Sequence, residues 1–312
     1  MTDEDLSIII VREDEAGERL DKLLFRCFEG QQSRSYFQRL IEEHLVLVNG
    51  ASVKKRMKPQ VGDEVEIRFA ITKEIDLTPE PIPLDIIYED DYLLAINKPA
   101  GMVVHPAPGH WSGTFVNALL HHCQLSADPS LGLRPGIVHR LDKNTSGVLL
   151  AAKQLDVQRM LIELFMHRQV HKEYLAICLG NPGKGKIEIP IGRHHKKRQM
   201  MSAHPNGGGR TACTTFSVVA AGSHLSVVKV IPITGRTHQI RVHMQVHGTP
   251  ILGDPLYGNL QANRRYGAER QMLHAYRLDF HHPVTKQLLS LKATLPEDML
   301  AFVRKIETHH SS

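Results

Sequence analysis

The 312-residue chain has little cysteine, a single tryptophan and no long apolar run, and these shortages exclude several classes of protein. Its four cysteines, Cys27, Cys123, Cys178 and Cys213, include no C-x-x-C pair. Neither a disulfide framework nor a thiolate zinc site is expected, and the four read as small core residues. The longest apolar runs, such as Ile8 to Val11 and Leu45 to Val48, fall far short of the roughly 20 residues that a membrane span needs. The acidic start Met-Thr-Asp-Glu-Asp fits neither a signal peptide nor a mitochondrial presequence, so a cytoplasmic protein without a membrane partner is expected. No G-x-x-x-x-G-K-[ST] phosphate loop occurs, and Gly207-Gly208-Gly209 reads as a flexible loop.

What is present is an ordinary globular composition, 42% hydrophobic and 23% charged, long enough for about two domains. The net charge of +5 is unevenly divided. Residues 1–74 hold 12 Lys and Arg against 15 Asp and Glu, a balance of −3; residues 75–312 hold 26 against 18, a balance of +8. The larger part therefore suits a polyanionic partner, solvated surface lysine being the bland alternative.

Leu20, Leu23, Leu24, Cys27 and Phe28 form the stripe of an amphipathic helix within Glu18 to Phe28. A second helix, capped by Ser33, buries Phe37, Leu40 and Ile41. Leu45 to Val48 followed by Asn49-Gly50 predicts a hairpin, and Val61-Gly62-Asp63 a turn into a closing strand from Glu64 to Phe69. Pro79, Pro81 and Pro83 lie in a stretch that disfavours helix and central strand alike, here taken as an interdomain linker over 76–84. The expected division is a small domain over 1–75, a larger one over 85–307 and a tail over 308–312. In the larger part, strands are expected at Tyr92 to Asn97, Val148 to Ala152, Tyr174 to Leu179, Phe216 to Ala220 and Leu225 to Ile231. A helix buries Val157, Met160, Leu161, Leu164 and Phe165. Strands that follow one another closely predict an α+β fold with a mixed, largely antiparallel sheet flanked by helices.

Three segments are dense in Gly, Pro, His, Arg and Asp beyond what packing favours: Asn97 to Pro106, His139 to Gly147 and Gly235 to His243. Loops and element ends on a rigid scaffold are where catalytic groups sit. Asp142 lies among Arg140, Lys143, Asn144, Thr145 and Ser146, surroundings that favour an ionised carboxylate acting as nucleophile or base. An Asx-type turn is the bland reading. His243 and His247 stand at i and i+4, but the Glu that a zinc protease places after the first His is Met244 here, so no metal is expected. The run His194 to Gln199, containing Lys196, Lys197 and Arg198, could grip phosphates or merely be a solvated face.

Together the three segments resemble the signatures of the RluA family of pseudouridine synthases, which look like K-P-x-G-x-x-V-H-P, H-R-L-D-x-x-T-S-G and G-R-T-H-Q-I-R-V-H. Arg19-Leu20-Asp21-Lys22-Leu23-Leu24 and Val46-Leu47-Val48-Asn49-Gly50 resemble the landmarks of an S4 domain, a small RNA-binding module. Within the family the chain is most similar to the RluD type, which modifies the helix 69 stem-loop of large-subunit (23S) ribosomal RNA, on Val104-His105-Pro106, Asn117 to His121 and Pro190 to His194. RluC-type or tRNA-directed members share much of this pattern. A non-catalytic S4 assembly protein would have no use for Asp142, Tyr174 and Arg241 together. The resemblance implies a cofactor-free isomerase that breaks the uridine N1–C1′ bond, rotates the base and rejoins it through C5. It makes Asp142 the catalytic aspartate, Arg241 its ion-pair partner and Tyr174 the residue that stacks on the target base. Arg140 would fill the space that the flipped base vacates, with Ile240 and Leu295 lining the pocket. His105, His139 and Thr145 join them as candidate substrate contacts. RNA would be held by Arg34, Arg39, Lys54, Lys55, Arg56 and Lys58 in the first domain, and by Lys196, Lys197 and Arg198 in the second. The expected partner is 23S ribosomal RNA or a pre-50S particle, met by a monomer.

Overall fold

The computed structural model describes residues 6–28, 34–54, 56–68, 77–105, 112–124, 135–194, 197 and 200–308. They divide into two bodies, one ending at Leu77 and the other beginning at Thr78.

The first body contains β1 (Leu6–Ile10), α1 (Leu20–Cys27), α2 (Arg34–Glu42), β2 (Val46–Val48), β3 (Ala51–Ser52) and β4 (Glu64–Arg68). Its strands form an antiparallel sheet in the order β1-β4-β2-β3. Leu20, Leu23 and Leu24 pack with Phe37, Leu40 and Ile41 against Val46, Val48, Val65 and Ile67, so both expected apolar stripes meet in one core. Asn49 and Gly50 take φ of 50° and 74°, the left-handed pair a tight hairpin requires. Asp21 is fully buried and accepts hydrogen bonds from Arg19, Arg34 and Gln38. Burial alone would raise its pKa, but these bonds lower it. The Ser33 cap lies outside the described residues. Strand β1 was not among the expected elements.

The second body runs β5 (Ile86–Glu89), β6 (Leu93–Lys98), α3 (Phe115–His122), β7 (Ser146–Ala152), α4 (Leu155–Met166), β8 (His171–Leu179), β9 (Lys184–Ile187), β10 (Ile191–Arg193), β11 (Met201–Ala203), β12 (Thr214–Ala221), β13 (Leu225–Pro232), α5 (Gln239–Val246), α6 (Leu260–Tyr266), β14 (Leu273–His281), β15 (Leu288–Lys292) and α7 (Glu297–Thr308). Nine of these strands make one sheet, ordered β5-β6-β7-β14-β8-β13-β12-β9, with β15 on the far part of β14. All its pairings are antiparallel except β7 with β14, so the expected mixed sheet is found. The parallel pair His274↔Ser146 and Ala275↔Gly147 joins the second dense segment to the middle of the sheet. Only a glycine fits at 147: its φ is 112°, and a β-carbon there would lie 2.2 Å from Ala275 O.

The proline-rich stretch expected to link the domains is held by the second body from Thr78 onward. Asn117 Nδ2 donates to Thr78 O, and Glu80 N donates to Asn117 O at the start of α3. Of the four cysteines only Cys178 is fully buried; the other three are half-buried.

Candidate active site

The Asp142 loop is tied down by its carbonyls, which leaves its side chain to project. Asp142 O accepts from Thr145 N at 3.0 Å. Lys143 O accepts from Lys98 Nζ at 3.1 Å and from Gly101 N at 2.9 Å. Asn144 O accepts from Arg270 Nη1 at 3.1 Å, and Arg270 is itself forked onto Asp298 at 2.6 and 2.8 Å. Lys98 is fully buried, and its ammonium also donates to Pro99 O and Met102 O. Burial and Arg270 bring its pKa down to about 7, while Asp142 and three carbonyl acceptors favour the charged form. The first dense segment thus acts as a brace for the second. Thr145 and Ser146 complete the loop through Gln271 and His274.

Arg241 comes from the first turn of α5, and that turn is fixed by side chains. Gln239 Nε2 donates to Cys213 O and Thr214 Oγ1, and its Oε1 accepts from Thr234 Oγ1 and Arg236 N. His243 on the same helix accepts from Thr214 Oγ1 and donates to Ile189 O. It is a buried core histidine with both nitrogens engaged, and burial lowers its pKa.

The Arg241 guanidinium is buried between two carboxylates. Its Nε and Nη2 fork onto Asp254 at 2.7 and 2.9 Å, and its Nη1 donates to Asp142 Oδ2 at 2.9 Å. Burial works against the cation, but Asp254 and Asp142 outweigh it and push the pKa upward. Asp254 is fully buried and also accepts from Leu256 N and Tyr257 N. The Tyr257 ring lies 5.0 Å from the guanidinium carbon, and its hydroxyl bonds Met201 N and His238 Nδ1. His238 adopts φ of 56° and brings Nε2 to 3.9 Å from Asp142 Oδ2. Burial lowers its pKa more than Asp142 raises it, so it is mainly neutral at pH 7. Among the described residues no side chain hydrogen-bonds Asp142 Oδ1. The carboxylate is one-fifth exposed and oriented through one oxygen, which is the arrangement a nucleophile or base requires.

Asp142 opens into a cavity of about 570 Å³, in the range of small-molecule sites. Tyr174, Ile240, Thr145, His139, Arg140 and Phe165 form part of its wall. Burial, and then the Asp142 charge, push the Tyr174 phenol above its ordinary range, so it stays protonated. His139 accepts from Leu150 N at 2.9 Å and stacks on Phe165 at 4.7 Å. Burial and Lys172 bring its pKa down to about 3, making it a neutral wall residue.

A protein-family model described as RNA pseudouridylate synthase matches residues 92–246, and an S4 domain model matches residues 18–65. "Uncharacterized RNA pseudouridine synthase YlyB" of Bacillus subtilis is 40% identical over 300 residues, 96% of this chain and 97% of that one. The chain belongs to the RNA pseudouridine synthases. It is an enzyme of that family carrying an S4 domain, as the resemblance implied. "Ribosomal large subunit pseudouridine synthase D" of Neisseria meningitidis is 42% identical over 91% of this chain and 77% of its own length. The solved structure "Human RNA Pseudouridylate Synthase Domain Containing 4" superposes with a TM-score of 0.56 at 27% identity, over 71% of this chain and 92% of that chain.

In this pseudouridine synthase the structure brings Asp142, Arg241, Tyr174, Arg140, His139, Thr145 and Ile240 to one cavity. Leu295 is not part of that wall: half-buried, it packs instead against the apolar cluster that contains Leu225, Met299 and Phe302. His105 is also absent from the wall. Lys55, Lys196 and Arg198 lie outside the described residues, and Lys197 is exposed. Lys54, Arg56 and Lys58 are exposed, whereas Arg34 is committed to Asp21 and Arg39 to Glu43. Asp254 and Tyr257 were missed. Gly253-Asp254-Pro255-Leu256-Tyr257-Gly258 has the Gly, Pro and Asp density that singled out the other segments, and that signal could have found them.

Proposed function

We propose that this synthase converts uridines of large-subunit (23S) ribosomal RNA to pseudouridine, in the helix 69 stem-loop, with Asp142 as the catalytic carboxylate. The observation carrying the chemistry is the Asp142 carboxylate held by the buried Arg241–Asp254 pair at a cavity of nucleoside size. The target reading rests on relatives named for large-subunit pseudouridine synthesis and on the signature residues around His105, Asn117 and Pro190.

A uridine in a stem-loop reaches such a cavity only by leaving its stack, at a cost of a few kcal/mol that RNA contacts offset. Arg140, exposed at the cavity, fills the vacated space with a planar guanidinium, and Tyr174 stacks on the base. Ile240 makes the wall apolar beside the reacting carbons and keeps water from the detached uracil. Asp142 then acts through its free oxygen, attacking C1′ or C6 or removing a ribose proton on a glycal route. In each case the N1–C1′ bond breaks, the base turns, C5 bonds C1′ and the C5 proton leaves. Arg241 holds the anion in place throughout, a task its fork performs and lysine's point charge would not. The exposed Lys54, Arg56 and Lys58 give the S4 domain a local basic patch despite its acidic balance. The enzyme acts as a monomer in the cytoplasm, on free 23S RNA or a pre-50S particle.

Carbodiimide primer extension on ribosomal RNA from a deletion strain tests this reading. Helix 69 signals should vanish, return with the wild-type gene and stay absent with Asp142→Asn. Loss confined to sites outside helix 69 would refute the target, and restoration by the mutant would refute the catalytic role.

A further inference from the structure

One wall of the active-site cavity gathers four cations that the mechanism above does not use. Arg168 follows α4 in a left-handed turn with φ of 58°, Lys172 is the second residue of β8, Arg210 precedes β12, and Arg236 lies between β13 and α5. All four line the cavity. Lys172 and Arg236 are half-buried, and Arg168 and Arg210 exposed. A β-carbon on Gly235 would be 3.8 Å from Lys172 Nζ, so the ammonium lies along the backbone next to Arg236. Arg236 is itself held by Nε donating to Thr211 O at 3.0 Å.

Among the described residues none of the four has an ion pair, whereas Arg19, Arg34, Arg39, Arg270, Arg277 and Arg304 each do. Among the described residues Asp142 is the only carboxylate lining the cavity, and Arg241 holds it. The four cations repel one another: burial, Arg168 and Arg236 lower the Lys172 pKa, and burial, Arg210 and Arg168 lower that of Arg236. Four chain segments that converge like charges at a low-dielectric surface gain nothing for folding. The arrangement makes sense when an anion completes it.

We propose that Arg168, Lys172, Arg210 and Arg236 form a phosphate seat that grips a phosphodiester of the RNA strand next to the target uridine. This rests on the synthase acting on a flipped uridine. A base entering the cavity brings its ribose and flanking phosphates, and these are the anions certain to be present. Guanidinium forks match phosphate oxygens in pairs. Met166 and Ile233, 66% and 40% exposed at the same cavity, offer the ribose an apolar rim. The seat would position the strand so that C1′ meets Asp142, beyond the diffuse attraction of a net +8 domain.

The test uses the full-length enzyme and helix 69 stem-loops in which one phosphodiester at a time, on either side of the target uridine, is replaced by a neutral methylphosphonate. Wild type should lose affinity at one or two linkages, and at those its slope of log K against log salt should flatten by about 0.7 per lost contact. Arg168→Gln and Arg236→Gln should flatten the slope by the same amount on unmodified RNA and lose nothing further at the sensitive linkage. Effects that add at every linkage, or a wild type indifferent to all replacements, would overturn the seat. The wild-type arm needs no variant to fold. Lys172→Met, which relieves repulsion, should leave Tm unchanged or higher, and a lower Tm would argue that the cluster serves the fold. Wild type that binds the stem-loop without modifying it would sink the helix 69 reading alone, because the non-additivity still reports the seat.

Discussion

At the residue scale the proposed chemistry depends on how one guanidinium is shared. Asp254 takes the Nε and Nη2 edge of Arg241, which leaves Nη1 for Asp142 and fixes a single oxygen of that carboxylate. Asp254→Asn keeps the shape and the bonds to Leu256 N and Tyr257 N but removes the charge, so Arg241 is free to turn toward Asp142. A misplacement of about 1 Å costs on the order of 100-fold in rate. Steady-state kinetics should therefore show kcat down by about that factor with KM nearly unchanged; a rise in KM alone would make Asp254 a binding residue. Asp142 and Arg241 were legible because the second and third dense segments carry them, whereas Tyr174 lies outside all three segments and came only with the family resemblance. Their supports were not. Asp254 stands 112 residues after Asp142, and Lys98 and Arg270 act on backbone carbonyls, a role that leaves no mark in the identity of the residue they hold.

At the scale of elements, three helices, α1, α2 and α4, and about half of the strands followed from local apolar patterns, although Met160, expected on the buried stripe of α4, is exposed; α3, α5, α6 and α7 were not anticipated. Strand β1 escaped because Leu6–Ile10 does not alternate; Ile8 and Ile10 are over half exposed while the backbone is what pairs with β4. Strand β14 escaped for a longer-range reason. Its pairing with β7 joins residues 128 apart, and no local pattern reports that. That junction also aims the Asp142 loop, which makes Gly147 the most sensitive position of the second motif. Gly147→Ala should cost about 3 kcal/mol or more by urea unfolding, because the new methyl meets Ala275 backbone and φ of 112° is closed to alanine. A change below about 1 kcal/mol would show that the β7 and β14 junction yields readily.

For the whole molecule, the unequal charge finds its explanation in the cavity: the positive balance of the larger part includes a wall of cations beside the Asp142 carboxylate. Stability should depend on acid in a particular window. Burial, aided by Lys172, brings His139 to about 3, and burial brings His274 to about 4, both from 6.5. Between those values and 6.5 the unfolded chain binds protons that the folded one refuses, so stability falls as pH drops through the window. Asp90, Glu89 and Asp21, whose folded pKa values are lowered, add to the loss further down. Urea midpoints measured from pH 7 to 4 should decline, and His274→Gln should flatten the upper part of the curve; a flat wild-type profile would contradict the buried neutral histidines. That the Asp142 carboxylate performs the isomerisation is tested most directly by tritium release from RNA labelled at uridine C5. Purified Asp142→Asn should bind the RNA as wild type does and release no tritium, whereas release at a measurable fraction of the wild-type rate would contradict the mechanism.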